Sequence, residues 1–159
     1  MDKREAQAIV SNADSSHADV FSVLRDRDVP LETRQKALMD PRLSDADIVR
    51  WASQNPDNAS ALVPFCGRVA ALRWWATSHS REIRQCVAFN PVTPSDVVAA
   101  LARDRDPSVR SNSVWNGNLP EHIVKDMSDH DAHDGVRAAA NDALRTEFGQ
   151  ALRSSASGD

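Results

Sequence analysis

Residues 101–110 read LARDRDPSVR, and residues 24–34 read LRDRDVPLETR. Both hold Arg-Asp-Arg-Asp, then a proline, then an arginine. The two runs begin at Arg25 and Arg103, an offset of 103 − 25 = 78 residues, or three steps of 26. A fixed period of roughly 20–50 residues is the signature of a chain built from stacked repeats. The duplication therefore sets the frame in which the remaining sequence is read.

Four segments align on an arginine: Thr33-Arg34 to Asp40, Ile83-Arg84 to Asn90, Val109-Arg110 to Asn116, and Val136-Arg137 to Ala143. The arginines step by 84 − 34 = 50, two units of 25, and then by 26 and 27. The first three segments end in Asp or Asn followed by Pro41, Pro91 or Gly117. That is a helix stop, because proline cannot continue a helix and Asn tolerates the conformations that end one. A second set lies between them: Ser16 to Asp19, Ser44 to Asp47 and Thr93 to Asp96. Each puts a hydroxyl at the N-cap and an acid three residues on, the pattern of a capping box. Pro94 then falls at the first helical position, where its missing N–H is harmless. Four residues after each cap stand Val20, Ile48 and Val97, with Leu72 and Ile123 extending the series. Four further on stand Leu24, Ala52, Ala76, Leu101 and Met127. Apolar residues at this spacing mark one buried helix face.

Each unit is thus a capped helix, a charged turn and a shorter second helix, and the duplicated Arg-Asp-Arg-Asp is the turn. Five units are expected, over roughly 16–40, 41–66, 67–90, 91–116 and 117–144. Residues 1–15 supply a lone capping helix, and residues 145–159 extend the last helix into a disordered tail. Such units bury their apolar faces only by stacking, so the expected fold class is all-α: an α-solenoid of about 25-residue repeats wound into a right-handed superhelix.

Residues 87–110, VAFNPVTPSDVVAALARDRDPSVR, resemble the leucine-rich repeat variant family, one of the HEAT-like α-solenoid types. The resemblance is carried by Asn90-Pro91, Thr93-Pro94, Val97, Leu101-Ala102, Asp104, Asp106 and Val109-Arg110. It implies α-helices alternating with short 3₁₀-helices, and it carries over no enzymatic activity. Departures fall in the second and third units. Ala59-Ser60 stands for the Val-Arg pair, and Pro64 falls inside the expected second helix. These units are expected to be irregular.

Composition narrows the function classes. The formal net charge is −4, which argues against a phosphate-backbone binder, since that needs clustered Lys and Arg. No apolar run approaches the ~20 residues of a membrane span, and the N-terminal residues carry no export signal; the expectation is a cytoplasmic protein. Cys66 and Cys86 are too few for a four-thiolate site and read as reduced thiols. No cofactor is expected.

The conspicuous residues sort by phase. Arg34, Arg84, Arg110 and Arg137 read as structural, each pairing with turn aspartates of its own or the next unit. SDHDAHDG, residues 128–135, offers Asp129, His130, Asp131, His133 and Asp134 as possible metal donors, but it occupies the same turn as Arg-Asp-Arg-Asp and matches no spaced zinc motif. Trp115 shares a phase with Met39, Phe65 and Phe89, which reads as core. Trp51 and Trp75 share a phase with Val23, Ala100 and Asp126, the edge of a buried face. Trp74 aligns with Ser22, Arg50, Ala99 and Lys125, so it is the tryptophan expected to protrude. Exposed tryptophan is enriched at binding hot spots. The expected role is a non-enzymatic protein–protein interaction scaffold. Its partner-binding patch comprises Trp74, Trp75, Trp51, Arg50 and Arg73, and its partner is another protein or peptide. The alternative is a metal-binding or nucleic-acid-binding HEAT-like protein.

Overall fold

The computed structural model describes residues 1–146, 151 and 154, so most of the expectation for 145–159 lies outside the described residues. Among them the structure is all-helical, without a strand. The elements are α1 (Lys3–Ser11), α2 (His17–Arg25), α3 (Leu31–Leu38), α4 (Asp45–Gln54), α5 (Pro56–Ser60), a 3₁₀ turn (Val63–Phe65), α6 (Val69–Trp75), α7 (Arg81–Phe89), α8 (Ser95–Leu101), α9 (Pro107–Val114), α10 (Glu121–His130) and α11 (Asp134–Arg145). After α1 the helices follow in pairs, with α2, α4, α6, α8 and α10 each preceding a second helix.

Side-chain caps decide where several helices begin. Ser16 and Ser44 accept from the backbone N–H of Asp19 and Asp47, whose carboxylates accept in return from the cap N–H groups. Each closed box satisfies donors that a helix start leaves orphaned. Asp2, Ser80 and Asp106 cap α1, α7 and α9 with a side-chain acceptor alone, from the N–H of Glu5, Ile83 and Ser108. The fourth pair departs from the expected register. Thr93 is no cap: it is fully buried, and its hydroxyl donates to the Val87 carbonyl at 2.7 Å. Pro94 takes the cap position with extended backbone, and α8 starts one residue later.

That one-residue slip reassigns the buried face. Counting four residues from Ser16, Ser44, Arg68, Pro94 and Pro120 gives Val20, Ile48, Leu72, Val98 and Val124, all fully buried. Counting seven gives Val23, Trp51, Trp75, Leu101 and Met127, also buried. The second helices α3, α7, α9 and α11 are α-helical rather than 3₁₀, and 3₁₀ geometry appears at Val63–Phe65, after α5 has stopped at Ser60. Pro64 sits inside that turn, and proline's missing N–H suits it to so short a segment.

Second helices stack closely: α1 on α3, α5 on α7, α7 on α9 and α9 on α11, while α4 packs on α6 among the first helices. At each junction a side chain reaches back to the carbonyls at the preceding helix end. Asn90 donates its amide to Val63 and Cys66, at 2.7 and 2.8 Å. Asn116 donates to Ala88 and Asn90, at 2.8 and 2.9 Å. Cys66 holds the corresponding place one pair earlier and has no amide, so Arg68 does the work, donating to the Leu38 and Asp40 carbonyls. Arg42 closes the first junction on Val10, Asn12 and Ser15 while gripping Asp40. Buried carbonyls need such partners. The buried apolar residues form two clusters, one running from Ala6 to Val109 and the other from Val98 to Ala143.

Candidate functional site

Successive residues on a helix point about 100° apart, from 3.6 residues per turn, and α6 ends in two tryptophans. Trp75 faces inward and is 0 % exposed, whereas Trp74 faces out and is 47 % exposed. Trp51, at Trp75's position in the preceding pair, is 3 % exposed. The expectation that Trp51 and Trp75 sit at an accessible edge is therefore corrected. In the true register they align with Val23, Leu101 and Met127, which are core, so neither presents a surface to a partner. The indole Nε1 atoms of both are buried without a hydrogen-bond partner.

Trp74 aligns instead with Ser22, Arg50, Ala100 and Asp126, and all five are exposed. It borders a cleft of about 390 Å³ between the ends of α4 and α6 and the starts of α5 and α7. Ser53, Pro56, Thr77, Ser78, His79, Ser80 and Ile83 complete the lining. Three hydroxyls there are turned toward the protein itself: Ser53 donates to Val49 O at 2.7 Å, Thr77 to Trp74 O at 2.8 Å and Ser80 to Glu82 at 2.9 Å. The exposed Trp74 and His79 side chains meet at this cleft. Arg73 grips Asp96 through both terminal nitrogens, at 2.6 and 3.0 Å, which ties α6 to α8. Arg50 is exposed on α4.

The phase-matched arginines are absorbed by the fold. Arg84 binds Asp104 of the next turn through two bonds of 2.7 and 2.9 Å, and donates to the Ser78 carbonyl of its own turn at 2.8 Å. Arg110 repeats this with Asp131, at 2.8 and 2.7 Å, and with the Asp104 carbonyl at 2.9 Å. Arg137 holds the Asp131 carbonyl and Asp134. Arg34 differs: it donates to the Leu24 carbonyl and to the Asn58 side-chain oxygen, with no carboxylate. The Arg110 hydrogen bonds hold Asp131 below the ordinary carboxylate range. Asp104 is pulled up by burial, but its bonds from Arg84 and the Asp106 N–H prevail and lower it. Arg34, desolvated and near Arg27, is lowered.

The aspartate- and histidine-rich turn is likewise divided among local roles. Asp131 is taken by Arg110, His130 pairs with Asp126 at 3.1 Å, and the His133 ring accepts from Gly135 N. Among the described residues no group of three or more His, Cys, Asp or Glu side chains is placed to hold a metal ion. Cys66 and Cys86 are free thiols whose pKa burial raises, the opposite of nucleophile activation.

Sequence reasoning missed another surface. Met39, Phe65 and Phe89, read as core because they are large and apolar, are exposed, while their phase mate Trp115 is half-buried. The signal was in their position: each directly precedes an Asp, Cys or Asn that turns inward at the junction. No helix among the described residues is long and apolar enough to cross a membrane. No protein-family model, curated protein or solved structure matches the chain.

Proposed function

We propose that the chain is a non-enzymatic protein–protein interaction scaffold, cytoplasmic, in which the helix pairs are five repeats of a right-handed α-solenoid of the leucine-rich repeat variant type. The observation that carries the reading is Trp74. It is a large aromatic held 47 % exposed over a cleft, on a helix whose neighbouring tryptophan is fully buried. A rigid, half-exposed indole costs little conformational entropy to bind and is a frequent interface anchor. The conspicuous arginines and aspartates support the same reading, because they are engaged in holding the turns together and so leave recognition to shape and apolar contact.

The test is a pair of neighbouring substitutions. Trp74→Ala is expected to shift stability by less than about 0.5 kcal/mol, as for a surface residue. It is also expected to weaken capture of partners from the native host by more than about 1 kcal/mol. Trp75→Ala is expected to cost about 3–5 kcal/mol of stability. If Trp74→Ala leaves capture intact in a quantitative pull-down, Trp74 is surface decoration and the reading loses its support.

A further inference from the structure

The cleft beside Trp74 narrows what can dock there. Its lining is serine, threonine, proline, isoleucine, Trp74 and His79, with no Asp, Glu, Lys or Arg. Trp74 is the one large apolar side chain that it exposes. Among the described residues the Trp74 indole N–H and the His79 ring make no hydrogen bond. The backbone acceptors around them are engaged. Thr77 holds the Trp74 carbonyl at 2.8 Å, and Arg84 holds the Ser78 and His79 carbonyls at 2.8 and 3.2 Å. The Ser80 hydroxyl donates to Glu82 and accepts from Ile83 N. What the cleft offers is two exposed rings, an indole donor and no fixed charge; the hydroxyl oxygens of Ser53 and Thr77 are left as acceptors.

Protein segments are recognised in a few physical modes, and these residues discriminate among them. An added strand needs a sheet edge, and the described residues contain no strand. An amphipathic helix needs apolar anchors on successive turns, and this cleft exposes one. A helix also bonds its own carbonyls, so it would bring no acceptor to the indole N–H. An acidic or phosphorylated motif needs an arginine cluster, and no arginine lines the cleft. A basic segment would find no carboxylate and would be desolvated unpaired. A polyproline II segment meets each condition. It makes no internal hydrogen bonds, so its carbonyls are free to accept. Its prolines carry no charge and no N–H that would be buried without an acceptor. We propose that the Trp74 cleft docks an uncharged, proline-rich segment of a partner protein in the polyproline II conformation. A proline ring lies on the Trp74 indole beside His79, and a carbonyl of the segment accepts from Nε1. The proposal deepens the scaffold reading and rests on it.

The test uses fluorescein-labelled decaproline, which adopts this conformation, against the full chain. A labelled Gly-Ser decamer, flexible and rich in N–H groups, serves as control. Fluorescence anisotropy is expected to show saturable binding of decaproline and not of the control. Trp74→Ala should weaken it at least about tenfold, and His79→Ala should weaken it less. Trp74→Phe keeps a ring but removes the donor, and should weaken it roughly two- to tenfold. Phe89→Ser, away from the cleft, should bind as the parent does. In nitrogen-15 spectra the indole N–H resonance that Trp74→Phe removes should be the indole signal that moves on titration. Should Trp74→Ala fail to fold by circular dichroism, Trp74→Phe and that resonance carry the test. No binding by the parent, equal binding of the control, or binding indifferent to Trp74 overturns the proposal. Tighter binding of a labelled acidic decapeptide, or of an alanine-rich helical peptide, assigns the cleft to another mode and also overturns it. Loss of host-partner capture in Trp74→Ala, with no binding of decaproline by the parent, sinks the proline reading and spares the scaffold. Decaproline binding that depends on Trp74, with host capture unchanged in Trp74→Ala, supports the cleft's preference and sinks Trp74 as the scaffold's anchor.

Discussion

The first and the later helix pairs solve one problem with different chemistry. On three of the second helices, α3, α7 and α9, an arginine reaches across to the next pair. From the third pair onward it meets a carboxylate, Arg84 on Asp104 and Arg110 on Asp131, through two charge-assisted bonds each. In the first pair Arg34 meets the neutral amide of Asn58, and the second pair has Ala59-Ser60 where the arginine would stand. The carbonyl partners at the junctions invert the arrangement: neutral asparagines, Asn90 and Asn116, serve the later pairs, and the charged Arg42 and Arg68 serve the earlier ones. The groups that need partners recur, while the position and the charge of the side chain that serves them change. The difference teaches that the stack requires a donor at a place, not a particular residue.

The largest effect is expected where a carboxylate is removed. Asp104→Ala leaves Arg84, only 5 % exposed, without its counter-ion. Breaking such a pair costs about 3–5 kcal/mol, and the low end is expected because the Ser78 and His79 carbonyls still hold the guanidinium. The pH dependence has a definite sign. The folded pKa of Asp104 lies below its ordinary value, so its contribution is complete above pH ~4 and is lost as pH falls through the folded pKa. Asp104→Asn removes that titration. Its stability should therefore fall less between pH 5 and pH 3 than the parent's, measured by urea denaturation; an equal fall would mean that the bridge contributes nothing.

The all-helical class, the serine caps at Ser16 and Ser44 and the turn at Arg-Asp-Arg-Asp were legible in the sequence, because these depend on local hydrogen bonding. The sequence misled at Thr93. A hydroxyl before Pro-Ser-Asp satisfies every local rule for an N-cap, and only the tertiary neighbour, the Val87 carbonyl, reveals that the hydroxyl turns inward. The one-residue slip that followed placed Trp51 and Trp75 at an edge when they are core, and it left Trp74 unaffected because the true and slipped registers are both polar or small there. Met39, Phe65 and Phe89 failed for another reason. Hydrophobicity favours burial but does not confer it, and each of these side chains stands just before the residue that turns inward at the junction.

An intermediate effect is expected at the junction that uses arginine in place of asparagine. Arg68→Ala should cost about 1–3 kcal/mol, since the Leu38 and Asp40 carbonyls lose their donor. Cys66→Asn alone should also destabilise, because Cys66 is fully buried and its neighbours' carbonyls are already taken. In the double variant the new amide occupies the place that Asn90 and Asn116 hold in the later pairs. A thermodynamic cycle should then return a favourable coupling of about 0.5–3 kcal/mol. Strict additivity would show that the two junction chemistries are not interchangeable.

The smallest effect sharpens the comparison most directly. Asn58→Asp converts the first bridge to the chemistry of the later ones. Asn58 is 6 % exposed and Arg34 5 %, so the new pair would be screened little by salt. Arg34 bonds no carboxylate, and burial lowers its pKa. Against the gain stand the desolvation of a carboxylate and the loss of the amide's weak bond to the Arg25 carbonyl at 3.4 Å. The Coulombic term should prevail, because the side-chain oxygen of Asn58 already sits on Arg34 and the substitution changes charge without moving atoms. A net stabilisation of about 1 kcal/mol is expected at neutral pH, the scale of one hydrogen bond gaining charge assistance. It should disappear below pH ~4 as the new carboxyl protonates. A destabilisation at pH 7, or a stabilisation that survives to pH 3, would show that the first junction is built around a neutral partner and that the later pairs' arrangement cannot be transplanted.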